Sequence, residues 1–287
     1  MKNLYKGSFA IVAATVFWAI GGGVFNKLLF ASGFPLAWSP FFGFLIGGLL
    51  LLGYSKAKGV VKKKSVFSNK WFYALALSNA LVGLFSFLSY ESIDLGTSAF
   101  LQMLSVPLAP FAAWLFLKEK ASARTVAALL LALFGLFAIN NFSLSFSAAG
   151  IPLAVASAFA TVATLLLSRF LKEEFNSLLA AYVFLAGAAM LLPIAVLSAP
   201  FPEIGGYALL LLAALGLFDI ALGDALRIYS LSKAPVRIIS LLELFQTLTF
   251  SLAGWVFFSE AMTSNTLFGG ALVIAAAVFA LQGKEVI

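Results

Sequence analysis

The sequence predicts an all-α integral membrane protein of ten transmembrane helices, built as two inverted five-helix repeats. Three observations carry that expectation: the composition, the spacing of charged and turn-forming clusters, and a phrase that recurs half a chain apart. Of 287 residues, 63% are hydrophobic and 10% charged, with 31 phenylalanines and a mean hydropathy of +1.08. An ordinary soluble domain is about 45–50% apolar and about 25% charged. A chain this apolar would expose too much oily surface to water, whereas lipid solvates such surface without penalty. The opening MKNLYKG followed by an apolar run looks like a secretory leader, but the run continues past any cleavage site. It is read as the first span.

A crossing helix needs about 20 mostly apolar residues, because the hydrocarbon core is about 30 Å thick and each residue rises about 1.5 Å. Cutting the chain at charged and turn-forming clusters leaves spans at 8–25, 36–54, 71–90, 97–117, 122–140, 151–170, 178–197, 207–229, 236–258 and 263–281. The cuts fall on turn chemistry: GFP at 33–35, LGTS at 95–98, NNFSLSFSAAGIP at 140–152, EEFNS at 173–177, APFPEIGG at 199–206 and SKAP at 232–235. No loop between them is long enough for a soluble domain.

Lysine and arginine accumulate on the cytoplasmic side of membrane proteins. With the N-terminus inside, that side receives Lys2 and Lys6, the run from Lys56 to Lys70, Lys118, Lys120 and Arg124, Arg169 and Lys172, Arg227, Lys233 and Arg237, and Lys284. Only Lys27 falls at the outer end of a span. Both termini are therefore expected in the cytoplasm, with the chain in a cytoplasmic (inner) membrane. The net charge of +7 is read as topology signal rather than as a nucleic-acid surface. There are no cysteines, which removes disulfides, thiolate metal sites and thiol nucleophiles, and no histidines, so proton chemistry falls to carboxylates.

The recurring phrase is AWLFLKEK at 113–120 and GWVFFSEA at 254–261. At that offset Trp114 falls on Trp255, Phe116 on Phe257, Glu119 on Glu260, Thr125 on Thr266 and Gln102 on Glu243. Small drifts bring Lys27 onto Arg169, and Asn79 with Gly83 onto Asp219 with Gly223. The repeats are placed at 1–141 and 142–287, together one membrane-embedded unit. Five is an odd number of spans, so the second copy enters from the opposite side and a pseudo-twofold axis lies in the membrane plane, an arrangement common in secondary transporters. Glu119 and Glu260 are read as helix-end markers. The lysines beside Glu119 and their absence beside Glu260 follow from the inversion.

With ten spans, a five-plus-five repeat, and AWLFLKEKAS and GWVFFSEAMT closing spans four and nine, the chain resembles the EamA branch of the drug/metabolite transporter superfamily. The resemblance covers essentially the whole chain. It implies a central cavity chiefly among spans three, four, eight and nine, with one and six, opened alternately to each side. Similar proteins often carry a proline in the span that ends in the motif. Pro107, with Pro110 close behind, fits in the first half, whereas the aligned position in the second is Leu248. Any proline-dependent bend is then expected in span four alone.

A charge at the centre of a spanning helix costs about 2.5–3.5 kcal/mol on insertion scales, so intramembrane ionisable residues face a cavity or a partner. Asp219, Asp224 and Arg227 in LGLFDIALGDALRIYS and Glu243 in IISLLELFQTLTF qualify, all in the second half. The helix rise places Asp219 near the midplane, about 16 Å deep, and Asp224 and Glu243 about 9–10 Å deep on neighbouring helices. Asp224 and Arg227, three apart, could neutralise each other on one face, or Arg227 could hold a substrate carboxylate or phosphate. Carboxyl groups withdrawn from water are candidate proton carriers. In the first half Asn79 stands opposite Asp219 and Gln102 opposite Glu243, as cavity lining or as glue between helices. Trp18 and Gln246 join them as candidate lining, and Gly21 to Gly23 as a close-packing stretch or a flexible gate.

The expected activity is secondary active transport, export or exchange, of a small metabolite such as an amino acid, by alternating access, with carboxylates as candidates for proton coupling. The alternatives are a sugar-phosphate or nucleotide-sugar exchanger, a lipid flippase and a channel. No metal-diphosphate or zinc-hydrolase pattern is present in the sequence, so no enzyme is expected, and no cofactor or metal. The expected partners are the small-molecule substrate and the lipid bilayer, with no nucleic acid; the sequence leaves the oligomeric state open and is compatible with a monomer.

Overall fold

The computed structural model describes residues 2–60, 66–117, 123–139, 149–171, 176–233, 239, 242–261 and 263–281. Among them, helices fall on each of the ten apolar stretches, and none of the described residues is in a strand. Helix is what such sequence dictates in lipid, where every backbone donor and acceptor must be satisfied within its own segment. In chain order, α1 covers 2–31, α2 36–57, α3 Lys70–Ser92, α4 95–117, α5 Ala123–Ile139, α6 Gly150–Arg169, α7 Ser177–Ser198, α8 206–233, α9 Phe245–Phe258 and α10 Ser264–Leu281. Two starts are set by asparagine caps: Asn69 accepts from the Trp71 N–H at 3.0 Å, and Asn176 from the Leu179 N–H at 2.9 Å.

Six of these stretches are long and apolar enough to cross a bilayer: Leu4–Ala31, Leu36–Ala57, Lys70–Ser92, Gly150–Ser168, Ser177–Ser198 and Gly206–Arg227. The outer surface agrees with them, since Phe9 is 77%, Leu210 66% and Leu197 88% exposed. Lipid, not water, is the medium in which such side chains are left out. Inside, the helices meet through small residues. Gly43 lies against Leu215, Gly47 against Ile220 and Gly187 against Phe44, each where a Cβ would crowd the neighbouring helix.

The pairing of helices has a regular pattern. α2 packs on α7, α4 on α9, and α5 on α10. α3 packs on α6 as α1 does on α8, α3 on α7 as α8 does on α2, and α4 on α6 as α9 does on α1. Exchanging the first five helices for the last five maps the first three contacts onto themselves and each of the others onto its stated counterpart. Duplicated sequence is therefore matched by duplicated packing.

Among the described residues, apart from the tight turn that opens α2 at Leu36–Trp38, the departures of these helices from regular α geometry come in facing pairs. α1 passes through a π-helical segment at Ala19–Phe25, and α8 through another at Gly216–Asp224; the two segments are in contact. α4 is interrupted at Met103 and Leu104, between Leu95–Gln102 and Ser105–Leu117. The chain leading into α9 makes the corresponding turn at Glu243 and Leu244. In both turns the backbone tightens to three-residue hydrogen bonds, Val106 N–H to Met103 O at 3.0 Å and Thr247 N–H to Leu244 O at 3.2 Å.

The sequence leads one to expect a proline-dependent bend in span four alone; a turn without proline forms at the start of α9 as well. Pro107 has no N–H to donate to the carbonyl of Met103, in keeping with a break there. Leu248 occupies the equivalent place in α9 and the turn forms there without it. The interruption belongs to the repeated fold, and proline is one way of accommodating it.

Candidate functional site

The interrupted and π-helical stretches surround a cavity of about 120 Å³ at the contact of the two halves. Local geometry decides what faces it. In an α-helix, residues five apart point about 140° away from each other. The π segment of α8, with its wider i to i+5 turn, brings Asp219 and Asp224 to the same wall. Asp219 is buried and accepts a hydrogen bond from the Gly22 backbone N–H, at the heart of the π segment of α1. That approach requires glycine, because a Cβ on Gly22 would overlap the Asp219 carboxylate and one on Gly21 would overlap its backbone. Of the two readings of Gly21 to Gly23, the close-packing one describes this arrangement.

One turn further along α8, Arg227 Nε donates to Glu243 Oε1 at 2.8 Å, an ion pair with side chains 19% and 9% exposed. The guanidinium also lies over the Trp18 ring, 5.9 Å from its centroid, and the Trp18 indole fills the space a side chain at Gly223 would need. Of the two readings of Arg227, the pairing with Asp224 holds as charge acting at a distance and not as a close contact. Arg227 reaches across to Glu243, and Asp224 has no hydrogen-bond or ion-pair partner among the described residues. Gln246, one turn beyond Glu243, completes this charged wall.

The opposite wall is neutral. Gln102, at the end of the first piece of α4, is buried and held at both ends: its Nε2 donates to Ser98 Oγ at 2.9 Å and its Oε1 accepts from the Ser86 hydroxyl at 3.0 Å. Ser86 meets Ser157 of α6 at 2.8 Å, Ser89 meets Ser98, and the Tyr90 hydroxyl lies beside Gln102 and Ser86. Asn79 of α3 faces the cavity. Phe44, Phe87, Phe184 and Phe250 supply the apolar remainder.

Every polar candidate that the sequence singled out within the membrane thus lines one cavity. Residues 3 to 228 positions apart in sequence meet there because the π segments and helix interruptions turn them to a common space. Outside it, Glu260 proves to be more than a helix end. Ser259 adopts a left-handed conformation, φ 54°, which turns the chain back so that Glu260 N–H reaches Gly254 O at 3.1 Å. Its carboxylate pairs with Lys27 and accepts the Leu95 N–H at 2.9 Å, joining α1, α4 and α9 at one end. Glu119, its counterpart, and Arg237 lie outside the described residues.

The sequence reading missed the serine network and Tyr90. A signal existed: Ser78, Ser86 and Ser89 recur on one face of α3 at helical spacing within an otherwise apolar span. It also missed the Lys27–Glu260 pair, whose partners are 233 positions apart.

Comparison with known proteins closes the description. A solved crystal structure is similar over 98% of this chain and 97% of its own, with a TM-score of 0.72 and 19% identity, which carries the fold alone. No curated protein matches the chain. The sequence model of the EamA-like transporter family matches twice, over residues 5–141 and 148–282. A multi-pass helical membrane protein whose two halves each fit the same family belongs to it: this chain is a member of the EamA-like transporter family.

Proposed function

We propose that the protein is a secondary active transporter that exports or exchanges small metabolites by alternating access. The observation that carries this reading is the convergence of α1, α3, α4, α8 and α9 on one cavity with charged and neutral walls, where the two halves meet. In the full arrangement ten helices cross the membrane as two inverted repeats, residues 1–141 and 142–287, with both termini in the cytoplasm of a cell whose inner membrane holds the protein. The packing that survives exchange of the halves supports the twofold, and the placement of every basic residue except Lys27 supports the orientation. Rocking of one half against the other opens the cavity to each side in turn.

Asp219, Asp224 and Glu243 are the groups that couple transport to protons, with Arg227, Trp18, Gln246, Gln102 and Asn79 as the remaining contacts. A phosphate-bearing substrate fits this site less well than a small metabolite. Arg227 is the single cation on the described lining, and Glu243 already engages it.

The test is counterflow in proteoliposomes. A carrier exchanges labelled internal substrate for unlabelled external substrate, and a channel does not. Asp219→Asn keeps an acceptor for the Gly22 N–H, so it should fold normally while transport loses its pH dependence. Unchanged transport with unchanged pH dependence would remove Asp219 from the mechanism.

A further inference from the structure

The charge balance of the cavity is unequal. Three carboxyl groups, Asp219, Asp224 and Glu243, share its lining with one guanidinium, Arg227. The guanidinium is already engaged: its Nε holds Glu243 and its face rests on Trp18. Asp219 receives one N–H, from Gly22, and Asp224 makes no hydrogen bond or close ion pair among the described residues, though it shares the field of Arg227 with Glu243. Three carboxyl groups against one guanidinium leave uncompensated charge in low dielectric, which is expensive, and a bound cation offsets that cost. The remaining walls suit the body of such a ligand. Trp18, Tyr90 and Phe87 present aromatic rings to the same space, and ring faces attract ammonium groups.

From this we propose that the substrate is a cationic amine, held through its ammonium by Asp224 and Asp219 against the aromatic wall. A molecule carrying a carboxylate or phosphate in addition is disfavoured, because no free cation on the described lining receives it. The inference rests on reading the cavity as the transport site and narrows the substrate class of that site. A volume of about 120 Å³ matches a small amine rather than a nucleotide-sized ligand.

The test uses the full-length protein in detergent and three probes of similar size: 2-phenylethylamine, phenylalanine and 3-phenylpropionate. They present an ammonium, a zwitterion and a carboxylate on the same apolar body. Binding by calorimetry should be tightest for the amine and weakest for the acid. Asp224→Asn should weaken amine binding about tenfold or more, the loss of one charge-assisted hydrogen bond, while Asp224→Glu, which keeps the charge, should retain it. Acid binding as tight as amine binding, no amine binding at millimolar concentration, or an unchanged amine affinity in Asp224→Asn would each overturn the proposal. Counterflow of the same probes in vesicles separates the two readings. Amine binding without exchange removes the carrier and keeps the cation site, whereas exchange of the acid alone keeps the carrier and removes the cation site.

Discussion

The two walls of the cavity are built from equivalent helices and do different things. On the α3–α4 side, Gln102 and Ser86 satisfy each other and extend through Ser98 and Ser157 into a closed network. On the α8–α9 side, Glu243, which aligns with Gln102, is salt-bridged to Arg227, and Asp224 is left over. The scaffold has kept its twofold packing while the chemistry has diverged. A satisfied neutral network specifies how helices fit. A wall with unspent charge has interactions left for a ligand or a proton. The asymmetry, more than the cavity itself, points to where function resides.

Breaking the charged wall should have the largest effect. Arg227→Met leaves Glu243 buried without its partner, which costs about 3–5 kcal/mol for a pair broken from one side. The 19% exposure of Arg227 puts the expected value near the lower end, read as a fall in thermal midpoint in detergent together with loss of transport. Gly22→Ala comes next. Its Cβ meets the Asp219 carboxylate, and overpacking of this kind costs about 1–3 kcal/mol. If Gly22→Ala is as stable as the parent, α1 and α8 do not make the approach described.

The neutral wall should yield less and in a different way. Ser86→Ala removes the donor to Gln102 and the contact to Ser157, costing about 1–2 kcal/mol of stability. Transport per folded molecule should fall less than in Asp219→Asn; an equal loss would place the neutral wall in the substrate pathway and end the contrast between the walls. The smallest effect is expected for Leu248→Pro. Proline inside a regular helix costs about 3 kcal/mol or more. Here the chain already turns at Glu243 and Leu244, as α4 does before Pro107, so the substitution should cost well under that figure. A full helix-interior penalty would mean that the two interruptions are not equivalent.

Much of the architecture is legible without coordinates because its causes are local. A 20-residue apolar run has no alternative in lipid to a helix, and cuts at Pro, Gly and charge follow from turn chemistry. Asp219, Asp224, Arg227 and Glu243 were visible because charge in an apolar span is costly wherever it lies. Their partners were not. Sequence spacing suggested Asp224 for Arg227 at three residues, and the fold supplied Glu243 at sixteen. Glu260 read as a helix end, since neither Lys27 nor the Leu95 N–H is anywhere near it along the chain. Ser86 and Ser98 attracted no notice because serine is cheap in a membrane helix and marks nothing until its neighbours are known.

The sequence by itself determined the solvent, the helical class, the duplication and which residues had to be functional or paired, because composition, periodicity and self-similarity are properties of the chain. Tertiary structure alone decided who pairs with whom and which carboxylate remains unspent. Counted at 3.6 residues per turn, Asp219 and Asp224 face about 140° apart. Only the π segment, which forms where α8 lies against the glycines of α1, turns both into the same cavity. That geometry comes from the contact between two helices, and no reading of either helix alone contains it.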